Sequence, residues 1–332
     1  MNTAMLDDVS LIALLVAMGL YAAAFIAFAL DLARRSALVA DAATARQPSA
    51  VGATAARRGG TATLEREPAS SGPDAPVAAG RSLSLNVAMV LLVVGFVAHA
   101  VATVLRGLAA SRVPWANMYE FAMTGTLLIL SVYLIVLTRR DLRFLGTFVT
   151  GLILILLGVA VVQYRVEVSP LPPSLQSYWL VIHVFVAALG TGFFALAFAL
   201  SGVQLLQFRR ESLAADAKAA KMRFLATLPD SVTLESMAYR LNIVGFIFWT
   251  FTLMAGAIWA ERAWGRYWGW DTKEVWTFII WVLYAGYIHA RATRGWRGSR
   301  SAWLAVIGFS AVMFNFGVVN VFFKGLHTYS GL

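Results

Sequence analysis

Two histidines and a run of tryptophans are the residues of this chain best suited to chemistry. The stretch Trp264-Gly-Arg-Tyr-Trp-Gly-Trp-Asp-Thr-Lys-Glu-Val-Trp276 packs four tryptophans and one tyrosine into thirteen positions. Gly265 and Gly269 alternate with the large rings, and a residue without Cβ lets a planar ligand approach the backbone. The chain has only four histidines and no cysteine. Thiolate metal sites, disulfides and thiol redox chemistry of its own are therefore excluded. Flat aromatic faces suit a flat ligand, and imidazoles bind iron axially. The combination points to a site for haem, with Trp264, Trp268 and Trp270 as its aromatic wall. Asp271, Lys273 and Glu274 follow at once and could meet propionates or a partner. On charge, Lys273 is the expected propionate contact. Trp249, Trp259, Trp281, Trp296 and Trp303 are expected to be ordinary aromatic-belt residues at the membrane interfaces.

The elements that hold these residues are membrane helices. Sixty percent of the residues are hydrophobic and thirteen percent charged, about half the charged share of a soluble chain. Several apolar runs exceed the ~18 residues needed to span hydrocarbon. The expected fold is all-α, a polytopic bundle of about eight transmembrane helices. The spans run Val9–Leu32, Leu83–Leu105, Met118–Leu137, Leu145–Val162, Tyr178–Leu206, Leu241–Trp259, Val275–His289 and Ala302–Phe323. Residues 1–33 form an N-terminal helix, 34–82 a disordered cytoplasmic linker rich in Ala, Gly, Ser and Pro, and 83–332 the functional domain with its aromatic loop at 261–276. The net charge of +10 does not point to nucleic acid, because the basic residues sit in short loops. Arg34, Arg35, Arg139, Arg140, Arg143, Arg209, Arg210, Arg291 and Arg297 all follow odd-numbered spans. The positive-inside rule makes those loops cytoplasmic, so both termini and the aromatic loop face outward.

That topology sorts the histidines by depth. His183 enters span five from the outside, and His327 lies just past span eight, so both share the side of the aromatic loop. His99 lies about 9 Å deep from the outer end of span two, and His289 ~20 Å below the loop. A polar group near hydrocarbon is costly and tends to be functional, which favours His183 and His327 as an axial pair.

The residues Trp264-Gly-Arg-Tyr-Trp-Gly-Trp-Asp271-x-Lys-Glu274 resemble the tryptophan-rich WWD signature of haem-handling proteins in cytochrome c biogenesis. Pro114-Trp-x-Asn-Met-Tyr-Glu120, Ile182-His-Val184, His289-Ala-Arg291 and Gly325-Leu-His-Thr-Tyr329 narrow the resemblance to the CcsA/ResC type of system II. It covers about Leu83 to Leu332. Thr272 departs from the usual proline of the motif, which leaves the turn less fixed. The resemblance implies that His183 and His327 hold haem b, the transported substrate, at the outer face. It also implies that His289 ligates a haem within the membrane. The second ligand there would come from a companion subunit of the CcsB/ResB type. The chain would then be one subunit of a holocytochrome c synthase, presenting haem for covalent attachment to the Cys-x-x-Cys-His motif of apocytochrome c. Without cysteine it would depend on another protein to reduce the apocytochrome thiols. A secondary transporter for another solute, or a non-catalytic membrane scaffold, is the alternative.

Overall fold

The computed structural model describes residues 2–45, 82–171, 175–213, 222–293 and 295–327. No strand occurs among the described residues. Eight long helices follow in order: α1 (Thr3–Ala45), α2 (Leu83–Ala110), α3 (Met118–Leu137), α4 (Gly146–Gln163), α5 (Tyr178–Ser212), α6 (Ser231–Trp264), α7 (Thr272–Thr293) and α8 (Ser299–Phe314). Past α8 the chain widens into a π-turn, Asn315–Val319, and closes with Asn320–Phe322.

Polar caps set several boundaries. The Asn117 side chain accepts from the Glu120 amide at 2.9 Å and starts α3. Asp230 does the same for α6 through Thr233, and Gly265 ends α6 with φ +70, left-handed geometry that suits glycine. One expected boundary moves. α1 continues to Ala45, past the limit expected at residue 33. The segment Arg34–Ala45 lacks an apolar stripe but is rich in alanine, the best helix former, and has no proline before Pro48. Arg35 also pairs with Asp31 one turn back. The rest of the expected linker, 46–81, lies outside the described residues.

α1 packs along α2 and α4, and α5 along α6, with α3 and α8 against α5. Small residues set the closest seams. A Cβ on Gly95 would stand 2.8 Å from the Tyr21 ring, and one on Gly146 2.6 Å from Phe28.

The two ends of the bundle differ. At one, Arg106 is wholly buried and bonds Glu120 at 3.0 Å, Asp7 at 2.5 Å and the Val166 carbonyl at 2.9 Å. Arg112 closes the set on Glu120. These contacts join α1, α2, α3 and the segment after α4 into one frame. At the opposite end Arg291 bonds Glu235 at 3.0 Å and lies over the Tyr239 ring, while Glu235 also receives the Gly298 amide.

Among the described residues, seven helices are long and apolar enough to cross a membrane. α7 is not among them, because tryptophan, tyrosine and charged residues dilute its hydropathy. It nonetheless runs antiparallel along α6 from end to end. Trp249 donates to the Thr277 carbonyl, Trp281 to the Thr250 hydroxyl and Arg291 to Glu235. The eighth expected span is thus present as a helix lying alongside a spanning one.

Candidate functional site

His183 and His327 meet at the end of the bundle that carries the aromatic loop. Both border a largely apolar cavity of about 200 Å³. Its lining runs from Met118 to Ile129 on α3, from Leu180 to Thr191 on α5 and from Ala260 to Trp249 on α6. Eleven residues of helix correspond to about 16 Å of depth.

Hydrogen bonds fix the chemistry of both rings. Nδ1 of His183 lies 3.0 Å from the Thr252 carbonyl oxygen, and Nδ1 of His327 lies 2.7 Å from Asp271 Oδ2. A carbonyl or carboxylate can only accept, so Nδ1 carries the proton in each neutral ring. Nε2 is then left with its lone pair, the state a metal ligand needs. The bond from His327 holds the Asp271 carboxyl below the usual carboxylate range. Asp271 therefore stays ionised at neutral pH, and the anchor is lost only as pH falls through that lowered value. The Leu326 amide also donates to Asp271.

The other two histidines contrast with this pair. Nε2 of His99 lies 3.0 Å from the Met123 carbonyl and Nδ1 3.2 Å from the Tyr21 hydroxyl. Both ring nitrogens are used, so His99 is a buried structural residue with nothing left for a metal. His289 faces away from the bundle. It shares an outward stripe of α7 with Phe278, Val282 and Gly286, and among the described residues none hydrogen-bonds its ring. His289 is therefore not brought together with His183 and His327.

The aromatic residues divide in a way their spacing does not reveal. Trp259, expected in the belt, is 1% exposed and touches both imidazoles. It stacks on His183 at 5.8 Å and meets His327 edge-on at 5.4 Å. Trp249, likewise expected in the belt, is buried in the cavity lining. Trp303 is exposed as expected. Trp264 packs on His327 at 4.7 Å without lining the cavity, whereas Trp268 lines it. Trp270 is 74% exposed and points away. Its φ of +59 is strained for a bulky residue. Glu274 holds it there, since one carboxylate oxygen accepts the amides on both sides, Gly269 at 2.7 Å and Asp271 at 3.1 Å. Asp271 braces His327, and Lys273 lines the cavity.

Sequence reasoning missed Thr252, Gly256 and Trp259 as supports of the site. Their spacing of four and three residues places them on one face of α6, which is the signal that could have found them. A Cβ on Gly256 would stand 2.7 Å from the His183 ring, so only glycine lets that ring reach the α6 carbonyl. The Pro114–Glu120 motif supplies Trp115 to the lining, while its Glu120 anchors the buried arginines.

Residues 115–327 match a family described as cytochrome C assembly protein. The chain is 33% identical over 249 residues to the cytochrome c biogenesis protein CcsA of Heterosigma akashiwo, covering 66% of this chain and 77% of that one. It is 35% identical over 245 residues to CcsA of Guillardia theta, covering 68% and 80%. Against CcsA of Prochlorococcus marinus it is 30% identical over 271 residues, covering 75% and 86%. With a match across most of its helices and across the cavity that holds His183 and His327, this chain belongs to the cytochrome c assembly family and is of the CcsA type.

Proposed function

We propose that this chain takes haem b through the membrane and presents it at the outer face between His183 and His327 for attachment to apocytochrome c. The observation that supports this best is the matched pair of rings in one apolar cavity, each with Nδ1 committed to an obligate acceptor and Nε2 open. Haem supplies the iron that both imidazoles bind and the vinyl groups that the thiols of a Cys-x-x-Cys-His segment add across. The protein orients the two ligands and excludes water from all but the mouth. His183 is held by a backbone carbonyl between two long helices. His327 sits beyond the last helix and is held by one side chain. His327 is therefore the ligand that the incoming histidine of the apocytochrome replaces. An external protein keeps the apocytochrome thiols reduced.

His289, facing outward on α7, is the chain's contribution to a haem site shared with a companion subunit of the CcsB/ResB type. The arginines expected inside cluster at the end opposite the cavity, which supports an outward-facing aromatic loop and termini. Reporter fusions after Arg223 should then behave as cytoplasmic and fusions at Leu332 as external.

Purified with its companion, the protein should carry b-type haem with a low-spin, bis-histidine spectrum. A colourless complex from haem-sufficient cells would refute the reading in favour of a transporter or scaffold. Gly256→Ala tests the geometry. The added methyl should push the His183 ring off Thr252 at a cost of about 1–3 kcal/mol and convert the spectrum toward high spin. An unchanged low-spin spectrum would show that the ring position does not matter.

A further inference from the structure

The cavity holds a cation with no carboxylate in ion-pair contact among the described residues, Asp271 acting on it only from farther off. Lys273, in the first turn of α7, directs its Nζ to the carbonyl of Asn315 at 3.2 Å and to Oδ1 of Asn320. Both acceptors are neutral, and among the described residues no carboxylate lies within ion-pair distance. An ammonium has three donors, so two are used and one remains. The Asn315 carbonyl is available because the helix after α8 widens into the π-turn Asn315–Val319, which frees backbone acceptors. Single π-turns inside helices recur at functional sites. The Asn315 side chain is 5% exposed, and its Oδ1 has no partner. Asn320 is steadied through its Nδ2 by the sulfur of Met118. Lys273, Asn315, Asn320 and Met118 all border the same cavity as the two histidines. A charge taken from water without a counter-ion is expensive, so this arrangement is built to receive an anion.

We propose that Lys273, Asn315 and Asn320 form a carboxylate subsite, made by the π-turn, that binds one propionate of the haem held by His183 and His327. This rests on the haem reading above and adds an edge-specific contact to it. The Lys273 ammonium donates its remaining N–H to one carboxylate oxygen, and the two asparagines hold the ammonium in place. The subsite pins the carboxylate edge of the ring against α7 and the end of α8. The vinyl edge is thereby left for the thiols of the acceptor. The loop staple Glu274 takes no part in the subsite, since its carboxylate would repel the propionate.

The test compares iron protoporphyrin IX with its dimethyl ester, which keeps the iron and vinyls but cannot pair with a cation. Haem-stripped complex in nanodiscs of zwitterionic lipid is titrated with each, and the Soret band is followed. Zwitterionic lipid keeps free lipid acids from supplying the anion. The wild type should bind the free acid about tenfold more tightly than the ester, the low end of what a hydrogen bond to a charged group contributes. Lys273→Met should lose that difference by weakening the acid alone, and Asn320→Ala, which removes the side-chain acceptor that holds the ammonium, should reduce it. His327→Ala should change the spin state yet keep the preference for the acid. Equal binding of acid and ester by wild type, with a normal low-spin spectrum, would overturn the subsite and leave the haem reading standing. Absence of any Soret band would overturn the haem reading itself.

Discussion

His183→Ala and His327→Ala are each expected to abolish cytochrome c maturation, and added imidazole is expected to restore part of it. Each substitution removes the only Nε2 lone pair on its side of the proposed haem and leaves a ring-sized space open to the cavity. A free imidazole fits that space and needs no backbone to hold it. Rescue should be stronger for His327→Ala, because the His327 side chain is 14% exposed while His183 is enclosed by two helices. Asp271→Asn leaves the imidazole in place but removes the anion that orients it. Loss of such a supporting hydrogen bond costs about 10–100-fold in metal affinity. Cytochrome c yield and bound haem, measured with and without imidazole, check all three. Normal maturation by both alanine variants without imidazole would make these ordinary interfacial histidines, and the cavity would need another ligand.

His289→Ala is expected to abolish maturation as completely, but without rescue by imidazole. His289 lies seventeen residues along α7 from Thr272, so about 25 Å from the aromatic loop. Its ring faces outward among Phe278, Val282 and Gly286 rather than into the cavity. A small polar molecule reaches that face only by entering hydrocarbon, where it loses its hydration. The variant should also lower total haem in the complex, because in the proposed route haem passes from this position to His183 and His327. The outer pair, if loaded with haem added from outside, should still show its low-spin spectrum. Retention of full haem content by His289→Ala would remove the inner position from the pathway.

The spacing of apolar runs was enough to place the membrane helices, and loop charge was enough to put His183 and His327 beside the same loop. Their partnership was therefore legible in one dimension. What held them was not. Thr252, Gly256 and Trp259 look like ordinary members of an apolar span, and a tryptophan near a helix end reads as belt until a second helix is seen to cover it. Asp271 was read as a group for propionates or a partner and instead braces His327, because the tail folds back over the loop from fifty-six residues away. Depth alone assigned His99 no role. Only its two hydrogen bonds show that it has no lone pair to give. The π-turn after α8 left no mark in the sequence, since it changes hydrogen-bond register without changing residue type. α1 overran its expected end because helix propensity carries the alanine-rich stretch.

α7 also bears on how the chain enters the bilayer during synthesis. On its own it is a poor candidate for membrane insertion, with lysine and glutamate in its first turn, Tyr284 and Tyr287 in its second half and Arg291 near its end. α6 emerges first and carries the groups that satisfy it. The indole N–H groups of Trp249 and Trp281 and the guanidinium of Arg291 all find their acceptors across the α6–α7 seam. Insertion of the two as a hairpin hides those polar atoms from lipid, whereas α7 alone would expose them. The aromatic loop is the tip of that hairpin. Its placement at one membrane face is thus tied to the pairing of its two stems, and a weakened seam is expected to appear first as lowered protein level rather than as a cytochrome defect.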